Sequence, residues 1–157
     1  MSNFSIYHYS KRSLLRSMLK SGSVALSARA GDVPPLVWCS TAPLWEPLAR
    51  SALDLDIPTH AALHAFTAEA HDDEPLRISV NHNVLFEWSS ELLKRGASWS
   101  SVFMLAQVGY ENRSDPTRWF VAPHPILLRD WKSVQCWRGR WEKLQYSGKA
   151  PPVLPNK

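Results

Sequence analysis

Three short stretches of the sequence carry side chains that could do chemistry. In "FSIYHYS" the imidazole of His8 lies between two tyrosines, "VWCST" ends in the hydroxyls of Ser40 and Thr41, and "LRISV" carries Arg77. An imidazole can accept or donate a hydrogen bond near neutral pH, and a guanidinium matches the geometry of phosphate oxygens. A shared role for these side chains requires His8, Thr41 and Arg77 to converge on one cleft.

Positive charge is concentrated at the two ends of the chain. The formal net charge is +4, but five basic residues precede Pro35 against Asp32 alone, and seven follow from Arg129 onward against Asp130 and Glu142. If the ends meet in the fold, they form a cationic surface suited to the phosphates of a nucleotide or a nucleic acid. A solvated basic face that binds nothing is an equally good interpretation.

Several kinds of catalytic site find no support in the sequence. A serine or cysteine nucleophile needs a base within hydrogen-bond reach, and no motif places one. His60 and His64 share a helical spacing with His71 two turns on, but their alanine-rich surroundings favour an ordinary helix over a metal site, so we expect no metal. Paired carboxylates are also scarce, since Glu87, Glu91 and Glu111 are isolated acids.

Length and composition predict one compact domain. The 157 residues are 45% hydrophobic and 20% charged, with no apolar run long enough to span a membrane and no secretory signal, so a cytoplasmic location is expected. Cys39 and Cys136 are predicted to be free thiols. We predict a single domain over residues 1–146, followed by a flexible, proline-rich tail at 147–157.

The pattern of apolar residues predicts strands at both ends of the chain and helices between them. A strand over residues 4–9, an N-cap at Ser10 and a helix closed by Gly22 begin the chain. Further strands are predicted in "PLVWCST", "LRISVNH" and "RWFVAPHPI", the last as an edge or site-lining segment. Helices are predicted at the end of "NVLFEWSSELLKRG" and, capped by Ser98, in "SWSSVFMLAQVG". This order indicates an α+β domain with a mixed, mainly antiparallel sheet.

Eight tryptophans are more than a core of this size needs. Four lie among apolar neighbours and are predicted to be core or site wall: Trp38, Trp99, Trp119 and Trp131. In "CWRGRWEK", predicted as part of a final strand or hairpin, Trp137 and Trp141 flank Arg138 and Arg140. Such interleaving suits base stacking with phosphate contact, although tryptophans packed beneath a strand with arginines in solvent is the more ordinary interpretation.

The order of a first strand with a histidine, a leucine-bearing helix and a strand ending in hydroxyls resembles the N-terminal half of ADP-ribosyltransferase-like proteins. The pattern "YHYS … VWCST … LRISV … RWFVAPHPI" is also similar to small bacterial and phage proteins. The resemblance implies chemistry at the glycosidic carbon of NAD, which would be the substrate, and transfer to a protein or nucleic-acid acceptor.

The resemblance implies roles for individual residues. His8 would hold the adenosine-side ribose, with Tyr9 following it, and Ser40 or Thr41 would contact the nicotinamide ribose. Trp38 or Trp45 would stack on nicotinamide. The family expects an acid on a late strand, but "RWFVAPHPI" has none, so Glu111 is the nearest candidate and Glu87 a poorer one.

RNA 2′-phosphotransferase relatives of the same fold use histidine and arginine side chains instead of an acid. By that route Arg77 and Arg118 would contact phosphate. The alternative from a different class is a non-enzymatic bacterial or phage inhibitor. It would bind a partner or a nucleic acid through a surface formed by Trp137, Arg138, Arg140 and Trp141.

Overall fold

The computed structural model of the chain describes residues 4–47 and 74–145. Seven strands within these ranges form one sheet in the order β5-β6-β3-β1-β4-β8-β9, and β2 pairs with β7 outside it. The strands are β1 (Ile6–Lys11), β2 (Ser23–Val24), β3 (Val37–Ser40), β4 (Pro75–Val80), β5 (Phe86–Glu87), β6 (Trp119–Ala122), β7 (Ile126–Leu127), β8 (Trp131–Trp137) and β9 (Trp141–Lys143). The α-helices are α1 (Arg12–Ser21), α2 (Trp88–Lys94) and α3 (Trp99–Glu111).

The first strand occupies the centre of the sheet. β1 pairs with β4 along its whole length, from Ile6 opposite Val80 to Lys11 opposite Pro75, and with β3 through Tyr7 opposite Ser40. Every strand pair in the described ranges is antiparallel. The predicted α+β class with a mainly antiparallel sheet is therefore confirmed.

Helix α1 follows β1 directly. Leu15 and Met18 are its buried residues, and Gly22 ends it in the left-handed conformation with its N–H donating to the carbonyl of Met18. The predicted helix and its glycine stop are confirmed, but the predicted N-cap is wrong. Ser10 is 1% exposed and lies inside β1, so its side chain belongs to the sheet and Lys11 takes the N-cap position.

The two faces of the sheet bury different sets of side chains. Because residues opposite one another in antiparallel strands share a face and successive residues alternate, Ile6 and His8 lie on one face while Tyr7 and Tyr9 lie on the other. The largest apolar cluster includes Ile6, Ile78 and α1. The opposite face carries two clusters, one formed with α2 and α3 and one around Tyr9.

Helix α3 packs closely on β6. Ser98 caps its N-terminus by accepting from the N–H of Ser101, as predicted. At Gly109 the helix comes so near the sheet that a Cβ atom would lie 2.5 Å from the Trp119 ring. Only glycine allows this approach, which fixes the helix against the sheet.

The remaining sequence predictions have mixed outcomes. "CWRGRWEK" forms the β8–β9 hairpin with Gly139 at positive φ, as one of the two predicted alternatives. The prediction that "RWFVAPHPI" forms an edge strand is wrong, because β6 lies between β5 and β3. The prediction that Trp99 is a core residue is also wrong, because Trp99 is 64% exposed. The predicted tail at 147–157 and the histidines at 60, 64 and 71 lie outside the described residues.

The remaining features of the fold are the apolar character of its helices and the state of its two cysteines. In the part of the chain that the structure describes, no helix combines the length and apolar character needed to cross a membrane. Cys39 and Cys136 are free and buried, and burial raises the pKa of both thiols. Neither is therefore a thiolate at neutral pH.

Candidate functional site

His8 lies where β1 and β3 begin to separate. One residue pair, Tyr7 opposite Ser40, joins the two strands, and beyond it the Nδ1 atom of His8 lies 2.9 Å from the Trp38 carbonyl oxygen. Because a carbonyl can only accept, Nδ1 carries the proton in this hydrogen bond. This contact fixes the orientation of the half-buried imidazole at the junction.

The environment of His8 keeps its ring neutral. Burial lowers the pKa of His8 and outweighs the bond to the Trp38 carbonyl, which raises it; no carboxylate of the described residues contributes to the shift. With Nδ1 protonated, Nε2 carries a lone pair, and it makes no hydrogen bond to the described residues. The ring can therefore accept a hydrogen bond from a hydroxyl group.

Thr41 and Arg118, two residues of the predicted site, lie next to each other at the end of β3. The N–H of Thr41 donates to the carbonyl of Arg118 at 3.0 Å. The Arg118 guanidinium contacts Asp115 at 3.3 Å, and both side chains are nearly half exposed. An exposed pair of this kind is worth no more than about 1 kcal/mol, so an anionic ligand could displace Asp115. Thr41 lies three residues from Trp38, roughly 10 Å along an extended strand.

Arg77 is on the opposite face of the sheet. It pairs with Tyr9 in the β1–β4 register, whereas His8 pairs with Ile78. Adjacent residues of a strand point to opposite faces, so His8 and Arg77 do not meet in one cleft. The convergence that the sequence interpretation required is absent for this pair.

Four of the predicted residues share the Arg77 face: Tyr9, Trp38, Ser40 and Arg77 itself. The Arg77 guanidinium carbon lies 4.0 Å from the centroid of the Tyr7 ring and 4.4 Å from that of Trp141. Its Nε donates to Gln135 Oε1 at 2.6 Å and its Nη1 to the Pro43 carbonyl at 2.9 Å. Only 7% of the Arg77 surface is exposed, and protein groups surround its guanidinium. The guanidinium is therefore not accessible to a phosphate group.

The neighbours of Arg77 are equally enclosed. Tyr9 is 5% exposed, its hydroxyl donates to the Ala42 carbonyl, and burial raises the pKa of Tyr9. Ser40 Oγ accepts from the N–H of Ala42 at 3.1 Å. The Trp38 ring packs against Trp88 and Trp119, so it lies across the sheet from His8 and cannot stack on a ligand that His8 holds.

A buried carboxylate, Glu46, was not among the predicted site residues. It is 8% exposed, accepts a hydrogen bond from the Ser114 hydroxyl, and its charge contributes to the raised pKa of Tyr9. Glu46 therefore lies on the Arg77 side. The one signal in the sequence was an acid within the apolar run "APLWEPL". Beside it, Trp45 Nε1 is buried and has no hydrogen-bond partner among residues 4–47 and 74–145.

The two other candidate acids occupy structural positions. Glu111 is the exposed last residue of α3 and accepts from Gln107 on the same helix at 2.9 Å. Glu87 is the N-cap of α2 and accepts from the N–H groups of Ser89 and Ser90. The described residues thus bring neither acid to His8.

The hairpin residues divide between the interior and the surface. Trp137 is 3% exposed and packs edge-to-face on Trp141, whose Nε1 donates to the Leu44 carbonyl at 2.7 Å. A base cannot stack on Trp137 unless this packing opens. Arg138 lies 3.7 Å from Glu74, and the 83% exposed side chain of Arg140 lies 3.2 Å from Glu142.

Among residues 4–47 and 74–145, no three His, Cys, Asp or Glu side chains are grouped as metal ligands would be. No protein-family model, curated protein or solved structure matches the chain. The fold is established at the level of an α+β domain with a mainly antiparallel sheet.

Proposed function

We propose that this chain binds NAD or an ADP-ribose-like nucleotide at the junction of β1 and β3 and carries out ADP-ribosyltransferase-like chemistry on it. The observation that carries the proposal is the state of His8. Its ring is neutral, is oriented by the Trp38 carbonyl, and has at Nε2 an acceptor to which none of the described residues donates. The sequence resemblance assigns the same side chain to a ribose.

The chemistry of a ribose fits this arrangement. A ribose diol offers hydroxyl donors, and a neutral imidazole accepts from one of them without the cost of deprotonation. Thr41 and Arg118 lie about 10 Å further along β3. A hydroxyl and a displaceable guanidinium there would contact the second ribose and the phosphates of a dinucleotide that spans the distance.

Transfer to an acceptor is a separate part of the proposal. The glycosidic bond of NAD breaks through an oxocarbenium-like state, which a nearby carboxylate would stabilise. Glu46, the buried acid, is on the Arg77 face. Nucleotide binding is therefore the part that the His8 geometry supports, and release of free nicotinamide is the readout for transfer to a protein or nucleic-acid acceptor.

The decisive experiment distinguishes the roles of the two ring nitrogens of His8. Asparagine places an amide N–H near the position of Nδ1 and can keep the bond to Trp38, but it has no group at Nε2. We expect the wild type to bind NAD or ADP-ribose in calorimetry and His8→Asn to bind about tenfold more weakly or worse, with an unchanged melting temperature.

His82→Asn is the control at an exposed histidine. His82 also contacts a backbone carbonyl, that of Phe4 at 3.0 Å, but it is exposed and stacks on the Phe4 ring. The His82→Asn variant should bind nucleotide like the wild type. Absence of binding by the wild type, or equal binding by a folded His8→Asn variant, would refute the proposal. Nicotinamide release with and without cell lysate then tests transfer.

The alternative is a non-enzymatic protein that binds a partner or a nucleic acid. The observation that favours it is the outer surface of the β8–β9 hairpin, where Arg138, Arg140 and Lys143 outnumber Glu142. The same calorimeter can titrate a single-stranded oligonucleotide at low and high salt. Salt-dependent binding that Arg138→Ala with Arg140→Ala abolishes would favour this alternative.

A further inference from the structure

Helix α3 carries five of the ten large apolar side chains that are exposed among the described residues. Phe103 is 70% exposed, Trp99 64% and Tyr110 62%. Large aromatic rings are rarely left in water in a row, and they are the side chains that dominate binding at protein interfaces. This helix face is a candidate for an interface.

The exposed rings follow the spacing of a helix-packing seam. Along α3, intervals of four, three and four residues separate Trp99, Phe103, the half-buried Ala106 and Tyr110. At 3.6 residues per turn they fall within roughly 60° of one another around the helix axis. Intervals of three and four are the pattern by which one helix packs along another.

The three rings of the seam are mostly exposed, whereas the half-buried Ala106 packs at its edge against the apolar cluster that α2 and α3 form with the sheet. Val102 and Gly109 hold the buried side of α3 against the sheet, and the helix N-terminus is fixed by Asp32, whose carboxylate accepts from the N–H of Ser98 at 2.7 Å. The helix is therefore already formed and oriented before any partner arrives.

We propose that α3 is a self-association surface, on which two copies of this chain pair their α3 helices in antiparallel orientation. In that arrangement Trp99 lies against Tyr110 of the second copy, and Phe103 lies against Ala106. In an antiparallel pair of identical helices, the numbers of opposed residues add to a constant. The two pairs give the same total, so both contacts form in one register. The large Phe103 ring then meets a small side chain on each side of the two-fold axis.

Charge and helix direction favour the same arrangement. No charged residue occurs from Trp99 to Tyr110, so two copies meet without like-charge repulsion. A parallel pair would place Phe103 against Phe103 and Ala106 against Ala106, which leaves a gap at the alanines, and it would align the helix dipoles. The antiparallel pair avoids both.

The available area predicts a weak dimer. Aromatic side chains present about 150–250 Å² each, so three rings exposed by nearly two thirds would bury roughly 400 Å² per copy. A standard interface buries about 800 Å² per partner. The expected product is a weak, concentration-dependent dimer, not an obligate one.

Sedimentation velocity over a concentration series tests the self-association. The full chain should shift from monomer to dimer by about 100 µM. Phe103→Glu places a charge in the seam and should weaken association by about 100-fold or more. Leu14→Glu is the control, because Leu14 is 39% exposed on α1, and it should associate like the wild type. A wild type that stays monomeric throughout, or a Phe103→Glu variant that dimerises normally, would overturn the proposal.

A cross-linking experiment tests the orientation. Trp99→Cys and Tyr110→Cys proteins are mixed and oxidised, each variant alone serving as the reference; Cys39 and Cys136 are buried and do not compete. An antiparallel pair gives the mixed disulfide in excess over both single-variant dimers. If only the single-variant dimers form, the helices are parallel and the proposed arrangement is wrong.

Discussion

The two faces of the sheet at β1 differ in how fully the protein satisfies the hydrogen bonds of their polar side chains. On one face Arg77 is enclosed between two rings, and its guanidinium donates to Gln135 and to the Pro43 carbonyl. On the other face, one residue away in the β4 register, His8 uses Nδ1 for the Trp38 carbonyl, and Nε2 bonds to no residue in the described part of the chain. A polar group with its bonding satisfied by protein holds the fold together, whereas an unused acceptor at a strand junction is available to a ligand.

Charge and burial support the same distinction. The Arg77 face also buries the carboxylate of Glu46 and the hydroxyl of Tyr9, which lie close enough to influence each other. Within the described ranges, His8 has no charged neighbour that shifts its pKa. We therefore expect substitutions on the Arg77 face to change stability more than substitution of His8.

Replacement of Arg77 should have the largest effect. Arg77→Ala removes a buried cation, leaves Gln135 and the Pro43 carbonyl without their donor, and opens a gap between Tyr7 and Trp141. We expect the free energy of unfolding to fall by about 2–4 kcal/mol in urea titrations. Arg118→Ala, at an exposed ion pair, is the control and should stay within about 0.5 kcal/mol of the wild type. A small loss for Arg77→Ala would mean that the cluster is open to solvent.

Tyr9→Phe should have an intermediate effect. It removes the hydroxyl that donates to the Ala42 carbonyl, and we expect a loss of about 1–2 kcal/mol at pH 7. Burial raises the pKa of Tyr9, so the folded state favours the neutral phenol. The associated stability is present below about pH 10, the pKa of an unfolded tyrosine, and is lost as the pH rises above it.

Urea titrations at pH 8 and at about pH 11 test this dependence. The wild type should lose its advantage over Tyr9→Phe at the higher pH. A difference between the two proteins that stays the same at both pH values would contradict a buried, neutral Tyr9.

The sequence predicts the elements of this structure better than it predicts which side chains meet. The apolar spacing of α1, the alternation in β4 and the Ser98 cap of α3 are local signals, and each element formed where its pattern lies. Ser10 failed as an N-cap because β1 continues through it, a consequence of pairing with Leu76, far away in the chain. Trp99 failed as a core residue because the approach at Gly109 turns a different side of α3 toward the sheet.

The site depends on strand register, which a single sequence does not reveal. The alternation that separates His8 from Tyr9 is visible in the sequence, but the pairing of Tyr9 with Arg77 is not. The burial of Glu46 follows from its contact with Ser114, which is equally distant in sequence. The bond between His8 and the Trp38 carbonyl likewise depends on the pairing of β1 with β3, which brings together residues 30 apart in the sequence.

The smallest expected change in stability is that of His8→Asn, and it should appear only in acid. Burial lowers the pKa of His8 below the ordinary 6.5, so the unfolded chain binds its proton at a higher pH than the folded chain does. Above about pH 7 the ring is neutral in both states, and the difference between wild type and His8→Asn should not depend on pH.

As the pH falls below about 6.5, the wild type should lose stability relative to His8→Asn, by at most about 1.4 kcal/mol per pH unit. Urea titrations between pH 8 and pH 5 measure this, with His82→Asn as the control for an exposed imidazole. If wild type and His8→Asn follow parallel pH profiles, His8 titrates as it would in water, and Nε2 is then no better an acceptor than any surface histidine. A divergence in acid would instead support a neutral ring at physiological pH, which the proposed ribose contact requires.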